Sequence, residues 1–180
     1  MHHRLAPLLA MTAVLACPPA QAINMELSRL VAQDHEDRRG AQNSMSPSAG
    51  ASDLADRDFS RRVAVLRMLT EGRIREPIDY ENAALIFQHG VSPEEYRLAH
   101  ALATIAAAID PSRSGARQLK RLSWDRFMLS IGRPQWYGSQ SVYDTRTGAR
   151  GYPENDPTVT DKQRLAAETG PIPAQAAQSR

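Results

Sequence analysis

The sequence predicts an all-α protein: a compact bundle of about four antiparallel helices, followed by a structured loop and an irregular C-terminal region. Three observations predict it. Apolar residues recur at steps of three and four along the middle of the chain, the period of a helix with one face in a core. Caps and stops punctuate these stretches at helical lengths. The connections between them run to only two to four residues, which obliges sequence neighbours to pack antiparallel.

The first segment reads as a leader. Arg4 supplies a positive charge, Leu5 to Ala16 form a short apolar run, and Ala20-Gln21-Ala22 offers small residues around a cleavage point. The run is shorter than the roughly twenty residues needed to span a bilayer, so residues 1–22 are expected to be a signal peptide removed after Ala22. That places the protein in the periplasm or outside the cell, with no transmembrane segment in the mature chain. An alternative uses Val14-Leu15-Ala16-Cys17 as a lipoprotein box with Cys17 lipidated. Cys17 is the one cysteine in the chain, so cleavage after Ala22 leaves no thiol chemistry. With 22 basic against 20 acidic residues and no block of like charge, nothing points to a nucleic-acid partner.

Residues 23–52 read as a short helix and a linker. Leu27, Leu30 and Val31 are helically spaced, a strongly polar run follows from Asp34 to Arg39, and 42–52 is rich in Ser, Asn, Gly and Ala. Such a composition buries too little surface to order itself. The folded unit is expected over 53–140. Its first helix carries Phe59, Val63, Leu66 and Leu69 as the core stripe, with Arg62 inside that stripe. The second runs from Pro77 to His89 with Tyr80, Ala83, Ala84 and Phe87 on one face and Gly90 as its stop. A capping box, Ser92 to Glu95, opens the third, whose stripe is Leu98, Leu102, Ile105 and Ile109. The fourth spans Ser114 to Ile131 and stops at Gly132-Arg133-Pro134. In 141–180 the expectation is loop, a short helix capped by Thr160 with Gln163 three residues on, and a loose tail.

Polar residues then stand out against this apolar background: Gln88-His89-Gly90, Asp125-Arg126, and the loop Gly132-Arg133-Pro134-Gln135-Trp136-Tyr137-Gly138-Ser139-Gln140. With the phrases DFSRRVAVLRML, AALIFQHG, LAHALA and DRFMLSIGRPQWYG, they resemble an uncharacterised bacterial domain family of unknown function. That family is typified by a QHG segment, a DR pair in a helix and a closing GxPQxYGTQ loop. The likeness covers about Asp53 to Ile172, departs from the pattern where Ser139 replaces threonine, and implies no particular activity. A second, partial resemblance links Tyr80 to Pro111, through Ala99, Ala106 and Pro111, to one tetratricopeptide-like helical hairpin. No second copy follows at a period of about 34 residues.

Two chemistries suit these residues. His89, in the last turn of its helix, is a candidate general acid or base, and Asp125 a candidate partner. Gln88, Arg126, Gln135, Tyr137, Gly138 and Gln140 are candidate binding residues, since amides and aromatic faces recognise sugars and peptides. Equally, the glutamines can tie the loop to Arg126 and Asp125 as an internal clasp. His100 reads as a packed or surface histidine. No H-E-x-x-H, phosphate-cradling glycine loop or G-x-S-x-G elbow occurs, so no metal and no cofactor is expected. The leading expectation is an exported binding or interaction module of the cell envelope, its partner an unknown envelope protein or cell-wall fragment. The alternative is a small hydrolase or transferase using His89 with Asp125, Arg126 and the Gln135–Gln140 loop.

Overall fold

The computed structural model describes residues 22–43, 51–143 and 146–168. The predicted leader up to Gln21, the bulk of the predicted linker (44–50) and the tail beyond Glu168 lie outside the described residues. The chain is mostly helical, with α1 (Met25–Asn43), α2 (Ala51–Thr70), α3 (Pro77–Gln88), α4 (Pro93–Ile109), α5 (Ser114–Ser130) and α6 (Asp161–Ala166). Between α5 and α6 two short antiparallel strands, β1 (Val142–Tyr143) and β2 (Arg150–Gly151), pair Val142 with Gly151. The all-α expectation holds.

Helix boundaries follow local chemistry. Pro77 opens α3, where its missing N–H and fixed φ are tolerated. Ser92 and Glu95 form the reciprocal capping box of α4, and Thr160 and Gln163 do the same for α6. α5 ends in a turn through Gly132 at φ +72°, a conformation that a side chain disfavours.

The core is organised around α3, which touches α1, α2, α4 and α5 and buries residues on several sides, among them Ala83, Ala84, Ile86 and Phe87. Here two predicted stripes are corrected. On α4 the buried face is Ala99, Leu102, Ala103 and Ala106, while Ile105 and Ile109 are exposed. Small residues let helix axes approach closely, so the alanine face outcompetes the bulkier one for the interior position. On α2 the inversion is fuller. Phe59, Val63 and Leu66 are 60, 52 and 49 % exposed, whereas Arg61, Arg62, Val65 and Met68 are buried. Buried guanidinium groups are tolerated because neighbouring helices supply carboxylates: Arg62 Nε donates to Glu95 Oε1 at 2.7 Å.

The packed unit also extends past both ends of the predicted 53–140 domain. Leu27 of α1 is wholly buried in the core, and Asp79 of α3 accepts from the Asn24 backbone N–H at 2.9 Å. At the other end Val159 and Arg164 are buried, and Arg121 donates to the Ala167 carbonyl at 2.7 Å. Regions of unpromising composition are thus folded by contacts with distant partners.

Candidate functional site

Asp125, on α5, is completely buried. Its Oδ1 accepts from the backbone N–H of Trp136 at 2.7 Å and of Tyr137 at 3.0 Å, and its Oδ2 from that of Ser139 at 2.9 Å. Convergence of successive amides on one carboxylate requires a sharp turn, and Gly138 supplies it at φ +66°. Gln135, also fully buried, closes the loop: its Oε1 accepts from Gln140 N at 3.0 Å and its Nε2 donates to Pro153 O at 3.0 Å. The side chain of Gln140 donates to the Leu122 carbonyl at 3.3 Å and to Ser139 Oγ at 3.0 Å. Backbone bonds from Gln135 N to Glu154 O and from Asp156 N to Gln135 O, at 3.0 and 2.8 Å, splice the following segment alongside. Asp125, Gln135, Gly138, Gln140 and the Tyr137 amide therefore close on one another. Burial pushes the Tyr137 hydroxyl pKa upward, and the Asp125 charge adds to it.

Arg126 does not play its expected part in this clasp. It is half-buried, and its Nε lacks a hydrogen-bond partner among the described residues. The arginine that holds the loop is Arg164 of α6. Its Nε donates to Trp136 O at 2.8 Å, Nη2 to Asp156 O at 3.0 Å and Nη1 to Val159 O at 2.5 Å. No local sequence signal around Arg164 announces this reach of 28 residues.

His89 lies in a different place. As the C-terminal cap of α3 it meets α1, where Asp34 Oδ1 lies 3.1 Å from its Nδ1 and Arg38 Nε approaches the same atom to 3.1 Å. The anticipated partnership of His89 with Asp125 is not formed; Asp125 is saturated by the loop and His89 is engaged by α1. One ring nitrogen cannot accept from Arg38 and donate to Asp34 at once. Burial works to raise the Asp34 pKa, but the His89 hydrogen bond and the charges of His89, Arg38 and Arg61 outweigh it and hold the carboxyl below its ordinary range. An ionised Asp34 calls for a proton on Nδ1, which in the neutral ring leaves the lone pair on Nε2. Arg38 is independently held by Asp58 at 2.6 Å.

This His89–Asp34 pair belongs to a charged cluster between α1 and α2. Arg61 Nη1 lies 2.9 Å from Asp58 and 3.7 Å from Asp34, and its Nη2 is bonded to Asp37. In this cluster Asp34 Oδ2 and Arg61 Nε keep no hydrogen-bond partner among the described residues, and neither does the buried Oε1 of Gln88, the chain neighbour of His89. A cleft of about 520 Å³ opens beside Asp34, His35, Arg38, Leu85 and His89. The third residue of the QHG segment has a steric role. A Cβ on Gly90 would stand 2.7 Å from Glu95 Cβ, displacing the carboxylate that pairs with Arg62.

A second cleft, of about 630 Å³, lies between α4 and α5 and is lined by Arg97, Leu98, His100, Ala101, Trp124 and Phe127. The Trp124 ring is 5.0 Å from His100, 5.5 Å from Phe127 and 4.9 Å from Trp136, and Arg97 stands over Phe127 at 5.9 Å. Burial lowers the His100 pKa, against the opposing effect of its contact with the Lys120 carbonyl, at 2.8 Å from Nδ1. Burial thus favours the uncharged ring, which stands as an aromatic wall of the cleft.

No protein-family model, curated protein or solved structure matches the chain. Among the described residues no three His, Cys, Asp or Glu side chains are grouped to hold a metal ion, and no helix is long and apolar enough to cross a membrane.

Proposed function

We propose that this chain is an exported helical binding module of the cell envelope, and that the α4–α5 cleft is where it binds. The observation that carries the reading is the aromatic lining of that cleft, with Trp124 and Phe127 beside the charges of Arg97 and Glu94. Open aromatic faces flanked by a few charged groups suit a ligand with apolar edges and carboxylates. A cell-wall fragment has that chemistry; a peptide segment of an envelope protein is the competing occupant. The leader residues Arg4, Leu5–Ala16 and Ala20-Gln21-Ala22 support export.

The test uses the protein's own fluorophores. Both tryptophans of the chain, Trp124 and Trp136, sit in one aromatic cluster, so a ligand in this cleft should shift intrinsic emission. Soluble peptidoglycan fragments are expected to change the emission saturably, with Phe127→Ala and Arg97→Ala weakening the response while the fold survives. A silent spectrum against cell-wall fragments and envelope extracts alike would discard the reading.

One observation favours an alternative, a small hydrolase or transferase. His89 Nδ1 is held by the buried Asp34, and its Nε2 makes no hydrogen bond among the described residues beside an open cleft. That is the arrangement of a general base oriented by a carboxylate, with Asp34 in place of the expected Asp125. Loss of a cellular phenotype in a His89→Ala protein that stays folded, its melting temperature lowered only slightly, would favour this alternative over the binding module.

A further inference from the structure

The exposed stripe of α2 is left unexplained by either cleft. Phe59, Val63 and Leu66 recur at steps of four and three, all on the side of α2 turned away from Val65 and Met68. The stripe is also held in shape: Arg62, pinned inward by Glu95, stands under the Phe59 ring at 6.0 Å from its centroid. We propose that this stripe is the seam of a homodimer, in which α2 packs antiparallel against α2 of a second copy.

Charge complementarity selects a second copy as the occupant. Asp56 and Arg67 lie on the same flank of the stripe by helical phase, near its two ends. In an antiparallel pair related by a two-fold axis, each flank faces its own copy reversed, so Asp56 of one chain comes level with Arg67 of the other, twice. In that register Phe59 of each copy falls between Val63 and Leu66 of the other, which interleaves the three side chains. Both charges are available. Asp56 has no ion pair among the described residues, and Arg67 has only the looser neighbours Glu26 at 3.4 Å and Glu71 at 3.9 Å. Arg61 and Arg62, the cations level with the axis, are buried and spent on Asp37, Asp58 and Glu95. A seam of one helix pair is small beside a standard interface of about 800 Å² per partner, so the association is a weak, concentration-dependent one.

The proposal is independent of what the α4–α5 cleft binds. Its test is sedimentation equilibrium of the mature chain over a concentration series, with circular dichroism as a control for folding. Wild type is expected to shift from monomer to dimer, and Val63→Glu to remain monomeric with an unchanged spectrum. Asp56→Arg should weaken the dimer about tenfold or more, and the double variant Asp56→Arg, Arg67→Asp should recover it, since exchanging both charges preserves complementarity. A wild-type chain monomeric at all concentrations would overturn the proposal, as would a Val63→Glu dimer. Failure of the double variant to recover would overturn the antiparallel register. Protection of Phe59 in the monomer, by residues outside the described ones, would overturn the proposal as well.

Discussion

Two buried aspartates divide this molecule. Asp125 and Asp34 are both inaccessible, yet one is answered by backbone and the other by side chains. Around Asp125 the donors are amides of Trp136, Tyr137 and Ser139, fixed by the turn at Gly138. These donors cannot titrate, change rotamer or find another acceptor. Around Asp34 they are His89 and Arg38, with Arg61 Nη1 an ion-pair neighbour at 3.7 Å; each also has a second carboxylate or a second role, and Asp34 Oδ2 has no partner among the described residues. Backbone donors make a lock; side-chain donors make a negotiable network that pH and ligands can reach. The site with unsettled chemistry is therefore the one near α1.

The sharpest way to break this comparison is to delete each carboxylate. Asp125→Ala strands three amides turned towards a fully buried position and should cost about 3 kcal/mol or more, read from urea unfolding with an unchanged slope. Asp34→Asn retains one carbonyl oxygen and removes a charge whose own burial is unfavourable, so it should cost less than half as much. Equal losses would show that the two sites are not different in kind. Next in size is Arg164→Ala, expected to cost about 2 kcal/mol and to render the segment after Gln140 protease-sensitive while α3 to α5 stay protected in hydrogen exchange. His89→Ala should cost about 1 kcal/mol, the scale of a helix-end cap and one charged hydrogen bond. Arg126→Ala should cost less again, because its Nε has no partner to lose among the described residues.

Acid titration sharpens the comparison further. His100 and Asp34 both have folded-state pKa values below their ordinary ones. A depressed pKa means that the unfolded chain binds the proton more readily, so each contributes stability above its unfolded pKa and loses it as pH falls through the folded value. Denaturation midpoints should therefore decline modestly below about pH 6.5, where unfolded histidine takes up a proton, and again below about pH 4. His100→Phe should flatten the first decline and Asp34→Asn the second. A first decline that survives in His100→Phe would mean that burial of that ring is not its cause.

Much of the fold is legible in the sequence where the physics is local. Pro77, the Ser92–Glu95 box, the Thr160–Gln163 box and Gly132 each act within a turn, and they set the ends of α3, α4, α6 and α5. The choice of face is not local. Phe59-Val63-Leu66 has the stronger apolar pattern on α2, but Arg61 and Arg62 go inside because α1 and α4 bring carboxylates to them. The clasp was half legible: an amide-rich, glycine-containing loop next to an aspartate in an apolar helix suggests mutual satisfaction. Its anchor, Arg164, was not, nor was the His89 partner Asp34, which is 55 residues away. The signals available were the i, i+4 pair Asp34–Arg38 and the i, i+3 pair Asp58–Arg61, facing charges on two helices.

The loop around Asp125 has one more consequence. Three amides aimed at a carboxylate in a dry setting constitute an anion receptor, one whose guest is tethered to α5 and never leaves. Cutting the tether should leave the host. In Asp125→Ala the vacated space is close to that of formate, and free formate at millimolar concentration should enter it and raise the melting temperature, as any molecule binding only the folded state must. Chloride, round and without two oxygens to share among the donors, should rescue less. A variant insensitive to formate would mean that the loop is shaped by Asp125 rather than waiting for it, and that host and guest fold as one.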